Sequence, residues 1–278
     1  MHLVVLICVM LKVGFVGGGR MAQALIKGFI SAGLTKGNNV IASCAPGDEV
    51  SIRGLKELDV AINFNNKEIV QSSEVTVLAV KPQVMPEVLN DIKSSVTPKH
   101  LLLSVAMGIT VKQLETELPN NSRVIRIMPN VASLVKKSAS VYTVGSNATQ
   151  SDAEITEQLF NAVGTCHKVP EYLFDPATAL SGSGPAYVCI VIEAMADGAV
   201  REGMPRDLAY KLAAQTVLGA ATLVLNENIH PAVLKDNVSS PAGSTCEGLY
   251  RLEEGGIRAA FIKAIHSATA RCRKTSNS

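Results

Sequence analysis

The sequence predicts an α/β domain with a mainly parallel sheet, followed by an all-helical domain. Up to about Tyr172, short apolar runs alternate with amphipathic helical stretches, whereas every later apolar segment has helical length and no strand pattern. Parallel sheets carry helices on both faces, so apolar strands separated by helices indicate successive βαβ units. We therefore expect one domain over residues 1–172 and a second over residues 173–278.

The apolar runs of the first domain predict its strands, and longer apolar segments predict the helices of the second. A helix over Met21–Ala32 follows the first strand. The predicted strands are Val13–Val16, Asn39–Ser43, Glu74–Val80, His100–Val105, Val124–Met128, Val141–Val144 and His167–Val169. The predicted helices of the second domain are Pro185–Glu202, Pro205–Asn226, Pro231–Asp236, Pro241–Leu252 and Ile257–Lys274. The first two begin with proline, whose missing N–H costs nothing in a first helical turn.

Composition excludes several functional classes. With 278 residues, 47% of them hydrophobic and 18% charged, the chain is apolar enough to fold throughout. A net charge of +2, no tryptophan and scattered basic residues argue against nucleic-acid binding. The six cysteines form no Cys-x-x-Cys pair and the five histidines do not cluster with them, so neither a metal site nor a disulfide framework is predicted.

The N-terminal residues leave the start of the mature protein open. Met1–Leu11 is apolar but too short to span a bilayer, and it lacks the features of a secretory signal or a transit peptide. Met10 is an alternative start, which leaves residues 1–9 as an uncertain extension. Free thiols indicate a reducing compartment. We expect a cytoplasmic protein without a membrane partner, with a mitochondrial location left open.

The helices of the second domain are apolar on all sides. The apolar residues of Tyr187–Ala199 surround the helix instead of forming one stripe, and those of Leu218–Leu225 do the same. A helix that is apolar all round must be buried on all sides, which a domain of this size cannot achieve alone. Homodimerisation through the helical domain is therefore predicted.

A glycine-rich turn follows the first predicted strand. Gly17-Gly18-Gly19-Arg20-Met21-Ala22 has the spacing Gly-x-Gly-x-x-Ala. Gly17 permits a tight turn, Gly19 lets a pyrophosphate approach the backbone, and Ala22 lets the helix pack closely on the strand. The phosphates would then meet free N–H groups at a helix N-terminus, where the dipole favours negative charge. This arrangement predicts a Rossmann-type domain that binds a nicotinamide dinucleotide.

The ends of later strands bear on the cofactor. The second strand ends at Ser43-Cys44-Ala45 with no carboxylate before Asp48, which favours NADP over NAD while leaving both open. Ligands bind open α/β sheets at the carboxyl ends of the strands. We therefore expect Ala79–Pro82, with its lysine Lys81, and Val105–Met107 to flank the ribose and the nicotinamide.

Two polar, small-residue runs precede helices in the C-terminal part. Ser181–Tyr187 carries two serines and two glycines before an apolar helix, and Lys235–Thr245 contains the turn Ser240–Thr245 before another. Serine also caps helices, but a cap needs one residue and not a whole run. A turn rich in N–H groups at a helix start is suited to holding a carboxylate.

These motifs together give the chain a strong resemblance to the pyrroline-5-carboxylate reductase family, over nearly all the sequence from about Lys12. They are the glycine turn, Ala79-Val80-Lys81-Pro82, Arg126-Ile127-Met128-Pro129-Asn130, Ser181-Gly182-Ser183-Gly184-Pro185-Ala186-Tyr187, Asp236-Asn237-Val238-Ser239-Ser240-Pro241 and Glu254-Gly255-Gly256-Ile257-Arg258. The resemblance implies a Rossmann-type domain followed by a helical dimerisation domain. It also implies reduction of 1-pyrroline-5-carboxylate to L-proline with NADPH or NADH, the last step of proline biosynthesis.

The resemblance also implies which residues form the site. Those implied to line the cofactor are Val16, Gly17, Gly18, Gly19, Arg20, Met21, Ser43, Cys44, Ala45, Asn66, Ala79, Val80, Lys81, Pro82, Val105, Ala106 and Met107. Those implied to line the substrate, partly across a dimer, are Glu171, Asn237, Ser240, Gly243, Ser244 and Thr245. Family members often form rings of dimers, so the resemblance allows a decamer.

The chain departs from the family pattern in two places. Asn130-Val131-Ala132 replaces the usual Asn-Thr-Pro, which puts the local turn in doubt. Ala242-Gly243 replaces the commonly doubled glycine after Ser-Ser-Pro, which predicts a stiffer carboxylate loop.

The expected mechanism is direct hydride transfer to the imine carbon of the pyrroline ring. Backbone N–H groups of Gly243–Thr245 would hold the substrate carboxylate, and the catalytic Thr245 hydroxyl would bond the ring nitrogen. Two alternatives stay open. A β-hydroxyacid dehydrogenase of similar layout would need a general base, for which Lys235 is the candidate. A non-enzymatic NADP-sensing dimer would need no carboxylate-binding turn.

Overall fold

The chain divides into two compact units. The computed structural model describes residues 11–276, so the predicted extension over residues 1–9 and Cys8 lie outside the described residues. The first unit runs to Ser183 and takes in the last helix from Ala268 onward, and the second is Gly184–Ser267. The domain boundary after residue 172 stays a prediction, because it marks where the strand pattern ends and not where a compact unit ends.

The first unit is built on one sheet of eight strands within the described residues. They are β1 (Val13–Val16), β2 (Val40–Ser43), β3 (Ala61–Ile62), β4 (Val75–Leu78), β5 (Leu101–Ser104), β6 (Arg123–Met128), β7 (Ser138–Val144) and β8 (Gly164–Lys168). Their order is β3-β2-β1-β4-β5-β6-β7-β8, and all neighbours pair in parallel except β6 and β7. The predicted Rossmann-type, mainly parallel sheet is confirmed.

Helices cover both faces of this sheet. They are α1 (Arg20–Ser31), α2 (Glu49–Lys56), α3 (Asn66–Gln71), α4 (Met85–Ile92), α5 (Val111–Glu117), α6 (Gln150–Asn161) and the short α7 (Phe174–Ala177). Side chains of α1, α2 and α6 pack with Phe15 and Val77 on one face, and those of α3, α4 and α5 pack with Val16 and Leu78 on the other. Successive residues of a strand point to opposite faces, so strands covered twice must be apolar throughout.

The second unit is entirely helical. It contains α8 (Gly184–Arg201), α9 (Arg206–Glu227), α10 (Pro231–Val238), α11 (Ser244–Glu254) and most of α12 (Ile257–Ser276). As predicted, the described residues after Tyr172 contain no strand, since the last strand, β8, ends at Lys168. Three starts differ from the prediction: α8 begins at Gly184 instead of Pro185, α9 begins after Pro205, which is its cap, and α11 begins at Ser244 instead of Pro241.

The helical unit buries few apolar side chains of its own. Its buried cluster consists of Ala196, Ala209 and Ala213, while large apolar side chains such as Ile190 and Leu225 are exposed. The segments Glu171–Arg201 and Arg206–Glu227 are long and apolar enough to cross a membrane by length and composition. The interface helices of a soluble oligomer are also long and apolar on all sides, since interface helices and membrane-spanning helices alike must bury their whole circumference.

Candidate functional site

The glycine turn between β1 and α1 depends on the missing side chains. Gly17 has φ +101°, and a Cβ at this position would lie 2.7 Å from the carbonyl oxygen of Ala79. Only glycine adopts this conformation without strain. A Cβ on Gly18 would lie 2.7 Å from the Leu55 side chain, whereas one on Gly19 would meet no atom within 4 Å. The space in front of Gly19 is therefore open to a ligand.

This turn lines a cavity of about 730 Å³ in the first unit. The predicted cofactor residues that line it are Gly17, Gly18, Gly19, Ser43, Cys44, Ala45, Asn66, Ala79, Val80 and Lys81. The predicted residues outside its lining are Val16, Arg20, Met21, Pro82, Val105, Ala106 and Met107. Among these Val16 is only 1% exposed, so its side chain belongs to the core. The contact of the whole predicted set with a cofactor stays a prediction.

Polar side chains connect the elements around this cavity. The Gly17 N–H donates to Ser43 Oγ at 3.2 Å, and that hydroxyl donates to Asn66 Oδ1 at 2.7 Å. Asn66 Nδ2 in turn donates to Asp91 Oδ2 at 3.2 Å. The Ser43 hydroxyl thus fixes both the glycine turn and the amide of Asn66.

The cavity also contains charged residues that the sequence did not single out for this site. Lys67, Asp48, Glu87 and Asp91 line it, in addition to the predicted Lys81. A hydrogen bond from Ser51 lowers the pKa of Asp48, so this carboxyl is ionised at neutral pH. Lys67 adjoins the predicted Asn66 at the start of α3, and that adjacency was the signal available in the sequence.

The start of α1 fits the phosphates of a dinucleotide. The helices α2, α3, α5 and α6 are capped by the side chains of Asp48, Asn65, Thr110 and Thr149, but the N-cap residue of α1 is Gly19, which provides no side-chain cap. The N–H groups of Arg20 and Met21 have no acceptor among the described residues. Uncapped N–H groups beside open space form a site for a pyrophosphate. The residues present therefore fit a dinucleotide cofactor.

The turn Ser240–Thr245 of the second unit also precedes a helix without a side-chain cap. It closes on the carbonyl oxygen of Ser240, which accepts the Gly243 N–H at 3.0 Å and the Cys246 thiol at 3.1 Å. A Cβ on Gly243 would lie 2.3 Å from Ser240 Oγ, so a larger residue here would force the Ser240 side chain to move. Ala242 has φ +56°, in the left-handed region that favours glycine. The loop was predicted to be stiffer than one with two glycines, and the backbone of Ala242 is strained.

The backbone donors of this turn differ from the expected set in one respect. The N–H of Gly243 is engaged with Ser240, so it is not available to a ligand. The helix α11 begins at Ser244 with no side-chain cap, and the N–H groups of Ser244 and Thr245 and the Thr245 hydroxyl have no protein partner among the described residues. A carboxylate and one further acceptor can therefore bind here. Asn237 is exposed on α10.

Glu171 is engaged within the first unit. Its Oε1 accepts the N–H of Val111 at 2.7 Å and lies 3.0 Å from Nη1 of Arg126. Arg126 is 4% exposed, and its guanidinium lies 4.4 Å from the centre of the Phe174 ring. Burial lowers the pKa of Arg126, and the Glu171 carboxylate opposes that shift. Glu171 thus balances a buried charge, a role that the sequence did not indicate; its predicted substrate contact is untested.

Two other motifs are more ordered than expected. The Asn130 side chain accepts the Ala132 N–H at 3.0 Å and donates to the Ser181 carbonyl at 2.9 Å, so this turn is well formed despite its departure from the family pattern. The run before α8 is a π-helical turn, Thr178–Gly182, and not an open loop. The Ser181 hydroxyl donates to the Ala177 carbonyl at 2.9 Å.

A cavity at the glycine turn of a Rossmann-type sheet, together with a separate helical unit, defines a two-domain oxidoreductase. Residues 12–108 match the family model described as NADP oxidoreductase, coenzyme F420-dependent. Residues 171–275 match that described as pyrroline-5-carboxylate reductase dimerisation.

Known proteins resemble the chain over nearly its full length. A pyrroline-5-carboxylate reductase of Methanosarcina acetivorans is 46% identical over 95% of this chain and 97% of its own. The structure of a pyrroline-5-carboxylate reductase from Coxiella burnetii superposes with a TM-score of 0.88 at 32% identity, over 96% of this chain and 99% of its own. That of the Plasmodium falciparum enzyme with NADP bound gives 0.87 at 30% identity, over 96% and 98%. The chain belongs to the pyrroline-5-carboxylate reductase family.

Proposed function

We propose that this protein reduces 1-pyrroline-5-carboxylate to L-proline with NADPH, the last step of proline biosynthesis. The observation that carries the proposal is the turn before α11, where the N–H groups of Ser244 and Thr245 and the Thr245 hydroxyl have no partner within residues 11–276. A small acid with one ring nitrogen matches two backbone donors and one hydroxyl. Relatives named for this reaction match nearly the whole chain.

The protein groups bind and orient the reactants. When bound, NADPH supplies a hydride from C4 of its nicotinamide ring, and the imine carbon of the protonated pyrroline accepts it. The N–H groups of Ser244 and Thr245 hold the substrate carboxylate, and the Thr245 hydroxyl bonds the ring nitrogen and relays its proton. A protonated imine is already electrophilic, so orientation is the main contribution, which reaches roughly 7–11 kcal/mol in favourable cases.

The alternative as a β-hydroxyacid dehydrogenase has weaker support. Its candidate base, Lys235, is engaged in an ion pair with the neighbouring Asp236 on α10. An NADP-sensing dimer without activity would have no use for the free donors at Ser244 and Thr245.

The assembly and location are part of the same proposal. We propose a homodimer formed by the helical domain, assembled further into a decamer, in the cytoplasm. The five cysteines of the described residues are free thiols, which suits a reducing compartment. Of the predicted substrate residues, Ser244 and Thr245 have free donors, whereas Glu171 and Gly243 are engaged with protein groups.

The proposal is tested by NADPH oxidation with 1-pyrroline-5-carboxylate, beside NADP reduction with a small 3-hydroxy acid. We expect activity with the imine only. Thr245→Ala should lower kcat by roughly ten- to a thousandfold, because one directed polar contact to the reacting ring is lost. Thr245→Ser, which retains the hydroxyl, is the matched control. Activity with the hydroxy acid alone would overturn the assignment, and normal turnover of Thr245→Ala would remove this residue from the mechanism.

A further inference from the structure

An ion pair lies in the cofactor cavity with no role in the chemistry above. Lys67 Nζ lies 3.6 Å from Asp91 Oδ1, and the side chains are 45% and 39% exposed. Both residues line the cavity beside the glycine turn. The backbone N–H of Lys67 is already accepted by Asn65 Oδ1 at 3.0 Å, so what Lys67 offers a ligand is its ammonium group.

The sheet order shows which end of a dinucleotide would meet Lys67. In this fold the adenine ribose lies at the carboxyl end of the strand next to β1, here β2 with Ser43. Ser43 bonds to Asn66, and Lys67 is the next residue. The other lining lysine, Lys81, follows β4 on the opposite side of β1. Lys67 thus belongs to the adenosine side and Lys81 to the other.

The carboxylates on the adenosine side act against a phosphate there. Asp48 follows β2 and lines the cavity, and its Oδ1 accepts the Ser51 N–H at 3.1 Å. Asp91 divides its two oxygens: Oδ2 accepts the Asn66 amide at 3.2 Å, and Oδ1 faces the Lys67 ammonium. A 2′-phosphate would therefore have to compete with Asp91 for the one cation lining this side within the described residues.

We propose that Lys67 is the counter-charge for the 2′-phosphate of NADPH and that Asp91 weakens this attraction, so that the pair sets the preference between NADPH and NADH. The inference rests on the proposed use of a nicotinamide dinucleotide. It assigns opposite effects to the two partners: loss of the lysine charge disfavours the 2′-phosphate, and loss of the aspartate charge favours it. Asp91 acts through Lys67 and Asn66 as a positioning residue.

The test compares two ligands that differ only by the 2′-phosphate, adenosine 2′,5′-bisphosphate and adenosine 5′-monophosphate. Calorimetric titration of the whole protein needs no turnover, so its result is independent of the reductase assay. In Lys67→Gln, affinity for the bisphosphate should fall about tenfold and that for the monophosphate less than about twofold, since one half-exposed charge-assisted contact is lost. In Asp91→Asn, which retains an oxygen acceptor for Asn66, the bisphosphate should bind about two- to fivefold more tightly.

Lys93→Gln provides the matched control, because Lys93 is exposed just after α4 and does not line the cavity. It should change neither affinity. Equal losses for both ligands in Lys67→Gln would overturn the proposal, and so would an unchanged or lowered bisphosphate preference in Asp91→Asn. Wild-type protein that binds NADH but not the bisphosphate would also overturn it. The result for Lys67 stands alone if Asp91→Asn folds poorly, since Lys67 is a half-exposed surface residue.

Discussion

Ala242 is a residue whose backbone conformation conflicts with its side chain. Its φ of +56° is of the kind that costs an L-residue with a Cβ about 1 kcal/mol relative to glycine. We expect Ala242→Gly to raise the free energy of unfolding by up to about 1 kcal/mol, and Ala242→Val to lower it, because a β-branched residue tolerates this region less well. Urea unfolding at one fixed protomer concentration measures both changes.

The same pair of variants separates strain from function. If the strained backbone of Ala242 holds the loop in its substrate-binding conformation, Ala242→Gly should give the loop alternative conformations. The variant should then bind 1-pyrroline-5-carboxylate less tightly, which is measured as a higher KM. Equal stabilities of the glycine, alanine and valine proteins would show that residue 242 is not strained in solution.

Glu171 presents a choice between two roles. Removing its carboxylate leaves the guanidinium of Arg126, 4% exposed, without its closest partner. We expect Glu171→Ala to lower the free energy of unfolding by about 2–4 kcal/mol, a little less than the loss of a fully buried pair because Glu171 is partly exposed. Chemical unfolding measures this loss, with Glu117→Ala, at an exposed position of α5, as the control. If both variants unfold alike and only Glu171→Ala raises the substrate KM, Glu171 is a substrate contact instead.

At the scale of elements, Gly17 and Gly19 of the β1–α1 turn have different roles, one in folding and one in cofactor binding. We expect Gly17→Ala to lose stability, because φ is +101° and the new Cβ would lie 2.7 Å from the Ala79 carbonyl. Gly19→Ala should fold normally, since no atom lies within 4 Å of its Cβ, yet bind NADPH at least about tenfold more weakly because the methyl group occupies the phosphate approach. Thermal unfolding and fluorescence titration with NADPH separate the two. Stable Gly17→Ala with weakened binding would reverse these assignments.

Most strands could be predicted because they are buried on both faces. The runs at β1, β4 and β5 are buried at every position and mostly apolar, with Thr76 and Ser104 as the polar exceptions, and such runs are typical of a parallel sheet. The strand β3 was not predicted, and β7 and β8 begin three residues before the predicted Val141 and His167. The strand β3 has two residues, too few to show a pattern. The strand β7 begins earlier than predicted, at Ser138, because the buried hydroxyls of Ser138 and Ser140 lie 3.0 Å apart and satisfy each other.

The candidate site was predictable only where chemistry is local in sequence. Gly17, Gly19 and the turn before α11 are each contained in a few consecutive residues, so their spacing indicated their chemistry. The pair of Lys67 with Asp91 depends on two helices meeting, 24 residues apart in the numbering of the chain, and no local pattern reports such a contact. The ion pair of Glu171 with Arg126 could not be predicted either, because these residues are also far apart in the sequence.

At the scale of the whole molecule, the helical unit is incomplete by itself. Ile190 is 64% exposed, Leu225 80% and Ile262 69%, although all three lie on helices of the family's dimerisation region. Apolar surface of this extent marks an interface. The side chains of Ile190, Met195 and Phe261 also line an apolar cavity of about 500 Å³ in this unit. We propose that a second copy of the chain supplies the missing burial.

This requirement predicts what a single charge does to the assembly. Ile190→Lys places an ammonium in the apolar surface, and burying it without a partner costs several kcal/mol, so association should weaken on the order of a hundredfold or more. Light scattering after size exclusion should show smaller species, with reductase activity lost in parallel. Val50→Lys is the matched control, because Val50 is 81% exposed and belongs to the first unit. If Ile190→Lys kept the wild-type mass at micromolar concentration, the Ile190 face would lie outside the interface, and the exposed side chains of α9 would have to form it.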